Sequence, residues 1–163
     1  MYKPITTEQL NAAVTSLVTH LANPTPEQAR LVFTPTVEYC DGPTHTVCLR
    51  YCTYPWMSNF RGVVHGGMVA TLLDSAMGIT CRSLYGARKH VATPTITLTV
   101  NYARPVPLES DILIRVRSVT TGATSTQMTA DLYLPGEEDA VLATASGIFH
   151  TVNAMKEKKT DMV

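Results

Sequence analysis

The feature that most constrains this chain is a change of hydrophobic period near its middle. Gly66–Leu84 is the longest helical stretch, and beyond it apolar residues recur every second position. Ile96, Leu98, Val100 and Tyr102 alternate with Thr95, Thr97, Thr99 and Asn101, and Pro105 ends that strand because proline cannot donate to a ladder. Asp111–Thr120 alternates again, Thr124–Leu134 sets Met128, Ala130 and Leu132 on one face, Pro135-Gly136 turns, and Ala140–Val152 is the last strand. Their short connections imply antiparallel neighbours. Upstream, Thr7–Leu21 reads as a helix with Thr7 as N-cap and Leu10, Val14, Leu17 and Leu21 at helical spacing; Pro24 and Pro26 stop it. Val32–Tyr39 and Thr44–Cys52 read as strands around an Asp41-Gly42 turn, and Pro55–Arg61 as a loop. An antiparallel sheet with one apolar face needs a cover, and the long helix is the evident one. The expectation is an α+β layer or wrap.

The 163 residues suffice for one core, and 45% apolar content argues against disorder. Three segments are expected: a helical extension at 1–30, the main domain at 31–153 and a frayed tail at 154–163. Zero net charge without a block of like charges is a poor footprint for nucleic acid. No run approaches the roughly 18–20 apolar residues of a membrane span. Cys40, Cys48, Cys52 and Cys81 form no C-x-x-C pair, and neither an apolar leader nor a glycosylation sequon is present, so free thiols in a reducing compartment are expected. The location expected is cytoplasmic; the first 29 residues hold one base, Lys3, which gives a mitochondrial transit peptide little support without excluding mitochondria. His45, His65, His90 and His150 are scattered, so no metal site is expected. The absence of G-x-S-x-G argues against a serine α/β-hydrolase.

The chemistry concentrates where the long helix begins. In Asn59-Phe-Arg-Gly-Val-Val-His65-Gly66-Gly67 the two glycines stand at the helix start. Backbone N–H groups there lack intrahelical partners, glycine admits a close ligand, and partial positive charge collects. Such donors suit an oxygen that becomes negative during acyl transfer. The plainer reading of Gly-Gly is a tight loop-to-helix turn, and of His65 a structural cap. Asp74 lies eight residues beyond Gly66, among Leu72, Leu73, Ala76 and Met77, where a carboxylate must be exposed, paired or functional. Eight residues of helix span about 12 Å, so one helix cannot bring Asp74 and the Gly66 N–H to one carbonyl. A second copy can: two such helices antiparallel about a two-fold axis place each Asp74 near the other's N-terminus, and the small stripe Gly67, Ala70, Asp74, Gly78 permits close approach.

The combined spacing Asn59-x-x-Gly62-x-x-His65-Gly66-Gly67, with Asp74 nine residues after His65 and Thr95-Ile-Thr97-Leu-Thr-Val-Asn-Tyr102-x-Arg104-Pro105 beyond, resembles the PaaI-like branch of hotdog-fold acyl-CoA thioesterases over about residues 32–152. The resemblance implies an antiparallel sheet wrapped around a central helix, a homodimer as minimum unit and often a homotetramer. It implies that Asp74 acts as general base or nucleophile, that the Gly66 N–H polarises the thioester carbonyl, that Asn59 orients the water or carboxylate, that His65 supports the oxyanion end, and that Thr95 stands near the attacked carbonyl. No cofactor is implied beyond the CoA of the substrate. The resemblance further implies that Gly67 adjoins the substrate site. Trp56, Met57 and Phe60 either line an acyl pocket or plug the edge of the core. Arg61, Arg82, Arg88, Lys89 and Arg104 either meet CoA phosphates or are ordinary surface charges. The N-terminal extension, a departure from simpler members, either covers the sheet or caps the acyl tunnel.

Three functions compete. The first is hydrolysis of an acyl-CoA or of an acyl group on a carrier protein. The second is enoyl-thioester hydration or dehydration, although the Asp-x-Asn-x-x-His signature of the hydratase branch is missing. The third is a non-catalytic acyl-CoA-binding module, against which Asn59, Gly66 and Asp74 argue.

Overall fold

The alternating segments pair into one antiparallel sheet, and the long helix lies across it. The computed structural model describes residues 5–21, 34–85 and 91–153, together with residues 27 and 30. The elements are α1 (Thr7–Leu21), β1 (Thr36–Asp41), β2 (Thr46–Cys52), a 3-10 turn (Pro55–Met57), α2 (Gly66–Leu84), β3 (Val91–Ala92), β4 (Thr95–Tyr102), β5 (Asp111–Thr121), β6 (Ser125–Tyr133), β7 (Ala143–His150) and β8 (Val152–Asn153). Six strands run β1-β2-β5-β6-β7-β4, every pair antiparallel. The chain is therefore α+β with a hotdog architecture, a sheet laid around one long helix.

Helix α2 packs across β2, β5, β6, β7 and β4. Its Leu72, Leu73, Ala76 and Met77 are fully buried and meet the inward residues of the strands, among them Leu49, Ile112, Ile114, Met128 and Leu132. Burying each such side chain stabilises the fold by about 1.5–3 kcal/mol. The opposite stripe of the helix, with Gly67, Ala70, Asp74 and Gly78, stays partly or fully exposed.

Helix α1 packs on both β1 and α2, and its Leu10 and Val14 are fully buried in the same core. Its N-cap is Thr6 rather than Thr7. Thr6 and Gln9 form a capping box, Gln9 N–H to Thr6 Oγ1 at 3.2 Å and Thr6 N–H to Gln9 Oε1 at 3.1 Å. The Thr7 hydroxyl instead accepts the Gly42 N–H at 2.9 Å, tying the helix to the β1–β2 turn. A Cβ on Gly42 would lie 2.3 Å from the backbone of Thr6 and Thr7, so only glycine permits this approach.

The first strand begins and ends later than the sequence pattern suggests, the second begins later and ends at Cys52 as expected, and the turn between them runs through His45 at φ 51°. The last strand is divided. β7 stops at His150, and Val152–Asn153 pairs separately with Val91–Ala92. Arg88, Lys89 and the tail 154–163 lie outside the described residues.

Candidate active site

Two polar constellations sit on the open side of α2, and strand β4 touches both. The first is the helix N-terminus. His65 caps it from an extended backbone, and its Nδ1 accepts the Gly67 N–H at 2.9 Å. That bond requires a lone pair on Nδ1, so a neutral His65 carries its proton on Nε2. The His65 carbonyl accepts from Met68 at 2.8 Å and Val69 at 3.1 Å. Of the four first-turn donors, the Gly66 N–H is the one these acceptors leave open. The capping reading of His65 therefore describes its geometry, and Gly67 N–H is already used. The Tyr102 hydroxyl donates to the Gly66 carbonyl at 3.0 Å, and its ring stands 3.5 Å from where a Gly66 Cβ would be.

The second constellation is Asp74. The half-buried carboxylate accepts the Thr95 hydroxyl at 2.8 Å through Oδ1, which leaves Oδ2 for another partner. Thr95 thus contacts Asp74 itself. The two residues line an open cleft of about 390 Å³, whose other walls include Leu17 and Leu21 of α1, Gly78, Ile79 and Arg82 of α2, residues 91–94, and Phe149.

Asn59 organises the loop before the helix. Its Oδ1 accepts the Arg61 N–H at 2.8 Å, its own N–H donates to the Val63 carbonyl, and its carbonyl takes the Gly62 N–H. Within one chain Asn59 is a loop-building residue, and no bond joins it to Asp74 among the described residues. Met57 is fully buried, whereas Trp56 stacks on Tyr54 at 41% exposure and Phe60 is 97% exposed beneath the Arg61 guanidinium. Neither Trp56 nor Phe60 lines the Asp74 cleft or plugs the core. Arg104 is exposed and, through the Val64–Val106 backbone bond, stands at the same end as the 58–64 loop. Arg82 lines the cleft. Among the described residues no group of His, Cys, Asp and Glu could hold a metal, and no helix is long and apolar enough to cross a membrane.

Tyr102, Leu17 and Phe149 were not singled out by the sequence as site residues. For Tyr102 the usable signal was a polar-tipped aromatic closing an otherwise Thr-rich edge strand. For the other two there was none, because an apolar residue looks the same whether it lines a cleft or a core.

A model of the thioesterase superfamily matches residues 61–141, from the loop before α2 to the end of the β6–β7 turn region. Acyl-coenzyme A thioesterase THEM4 of Bos taurus is 39% identical over 69 residues, which cover 42% of this chain and 25% of that protein. The chain spans 25% and 41% of the length of two curated relatives that it matches in sequence. Among solved structures, the PaaI protein of the E. coli phenylacetic acid degradation operon superposes with a TM-score of 0.72 at 13% identity, over 92% of this chain and 98% of that one. A thioesterase family protein from Silicibacter pomeroyi gives 0.70 at 25% identity, over 88% and 98%. The matched segment contains both the open Gly66 N–H and Asp74: over residues 61–141 the chain is similar to the thioesterase superfamily, and its fold is the hotdog fold that PaaI has.

Proposed function

We propose that two copies of this chain hydrolyse an acyl thioester, acyl-CoA or an acyl group on a carrier protein, at two equivalent sites shared across their interface. One observation carries the reading. β4 is an edge strand of the sheet, with Ile96 57% and Tyr102 55% exposed, and its two ends bond the two halves of the candidate site. An unpaired edge with exposed apolar side chains is a template for another strand. Antiparallel pairing of two β4 strands centred between Leu98 and Thr99 opposes Thr95 to the partner subunit's Tyr102. Asp74, held by Thr95, then faces the helix tip held by the partner's Tyr102, and symmetry makes two such sites.

In that arrangement the substrate carbonyl oxygen takes the Gly66 N–H of one subunit, at the positive end of α2. Asp74 of the other subunit removes a proton from water as the water oxygen bonds to the carbonyl carbon, and the C–S bond then breaks to release the acid. Alternatively its Oδ2 attacks the carbon directly, the C–S bond breaks to leave a mixed anhydride, and water cleaves that anhydride to return the Asp74 carboxylate. In both routes the electron pair of the C–S bond leaves on sulfur, and the thiolate is protonated. The thioester carbonyl is electrophilic already, so positioning and one carboxylate suffice. His65 fixes the helix tip, and Asn59 fixes the preceding loop. Phe60, Arg61 and Arg104 stand at the oxyanion end, where the CoA portion would leave the site. Acyl-CoA is the favoured substrate on the strength of the sequence match to an acyl-CoA thioesterase. A reducing, cytoplasmic setting is favoured by the four unpaired thiols; a tetramer built from two dimers remains part of the proposal.

The test is subunit complementation. Asp74→Asn removes the base. Gly66→Pro removes the N–H at a helix position where proline is tolerated, next to an extended His65. Each variant alone should lose about 100–1000-fold in thiol release from acyl-CoA. A 1:1 mixture after subunit exchange should recover about a quarter of wild-type activity, because half the dimers carry one intact site. No recovery, with exchange verified by tagged subunits, refutes a site shared between subunits. Full activity of Asp74→Asn refutes the mechanism.

A further inference from the structure

We propose that α1 and Gly78 form the acyl-chain selector of this site, and that the cleft takes an apolar, medium-chain acyl group; the proposal rests on the hydrolase reading above. Along α2 the cleft is lined by Asp74, Gly78, Ile79 and Arg82, and Leu17 and Leu21 of the N-terminal helix and Phe149 line it as well. From Asp74 to Arg82 the helix advances about 12 Å, room for an extended chain of roughly 8–10 carbons.

Gly78 lies in the interior of α2, where glycine is less favourable than alanine by roughly 0.5–1 kcal/mol. The fold does not require it. A Cβ at this position would meet only Phe149 Cε1, at 3.8 Å, an ordinary contact. What the missing side chain leaves empty is the cleft, four residues from the carboxylate on the same face of the helix. The opposite wall is equally deliberate. α1 is pinned at its start by the Gly42–Thr7 bond, buries Leu10 and Val14 completely and packs on α2, and Leu17 and Leu21 lie against the same core.

The experiment is thiol release from straight-chain acyl-CoAs from acetyl to palmitoyl. For the wild type, kcat/KM should rise about fourfold per methylene until the cleft is full, near roughly 8–10 carbons, and then level or fall. Gly78→Ala should move that break about one carbon shorter, and Gly78→Leu roughly three to four carbons shorter, since its side chain occupies the space of those methylenes. Leu17→Ala should move it longer. Hydrolysis with the same break in all four proteins overturns the selector while leaving the hydrolase reading intact. A uniform loss at every chain length for Gly78→Leu, with dissociation in sedimentation, also overturns it, by assigning Gly78 to the subunit interface. Failure of the wild type on every thioester, including acetyl, is failure of the hydrolase reading itself.

Discussion

Replacing Gly42 with alanine should cost this protein about 1.5–4 kcal/mol of stability, through contacts that no local reading of the turn reveals. Gly42 is not among the residues with positive φ, so alanine there carries no backbone penalty and would by itself stabilise by about 0.4–1 kcal/mol. The steric term opposes this. The new methyl would sit 2.3 Å from Thr6 C and Thr7 N and 2.7 Å from the Ile5 carbonyl oxygen. Ordinary carbon contacts begin near 3.5 Å, so the start of α1 must withdraw by about 1 Å. These neighbours are backbone atoms and cannot swing aside. Withdrawal breaks the 2.9 Å Gly42–Thr7 bond, about 0.5–1.5 kcal/mol. It also lifts Leu10 and Val14, both at 0% exposure, and losing half of their burial costs about 1.5–3 kcal/mol together. Urea unfolding followed by the fluorescence of the single Trp56 measures the sum. The midpoint should fall by roughly 1–2 M at a typical urea slope, with faster amide exchange confined to α1. Gly78→Ala is the control and should raise the midpoint slightly, because its Cβ meets nothing closer than 3.8 Å. An unchanged or raised midpoint for Gly42→Ala would show that α1 does not rest on the β1–β2 turn.

Two further outcomes test other parts of the structure. Ile96→Lys puts a charge on the exposed β4 edge and should convert the proposed dimer to a folded monomer in sedimentation, with thiol release lost at unchanged secondary structure; a persisting dimer would exclude pairing through β4. Cys52 is the exposed cysteine, yet its thiol is held above the ordinary range, first by its hydrogen bond to Asp111 at 3.0 Å and then by burial and the charge of that carboxylate. The thiolate fraction near pH 8 is therefore reduced, so alkylation should run slower than for free cysteine and accelerate in Asp111→Asn, the rate-versus-pH curve moving to lower pH. Cys40 and Cys81, pushed up to about 11 by burial, should stay unreactive until the protein unfolds.

Much of the architecture follows from side-chain period alone, because burial on one face of a helix or strand imposes it. Gly66–Leu84 ends where its pattern ends, and β5 and β6 lie within a residue or so of their alternating segments. The Asp74 helix and the amide-rich tip were legible for the same reason, together with the spacing that kept them apart on one helix. Long-range partners were not legible. Thr7 looks like a cap until Gly42 claims its hydroxyl, and Thr6 takes the role. β7 and β8 read as one strand until Val91–Ala92 pairs with the second piece. Trp56 and Phe60 suggest a pocket by composition, but solvent receives them.

Sequence by itself determined that one long helix must lie on an antiparallel sheet and that a carboxylate and an open helix tip stand about 12 Å apart along it. Tertiary structure alone decided that Thr95 reaches Asp74, that Tyr102 reaches Gly66, and that one edge strand links the two. It also decided that Leu17 and Leu21 wall the cleft beside Asp74. The division has a physical cause. Periodicity reports which face of an element is buried, a property of neighbouring residues, whereas these contacts join atoms far apart in the chain and exist only once the sheet has brought them together.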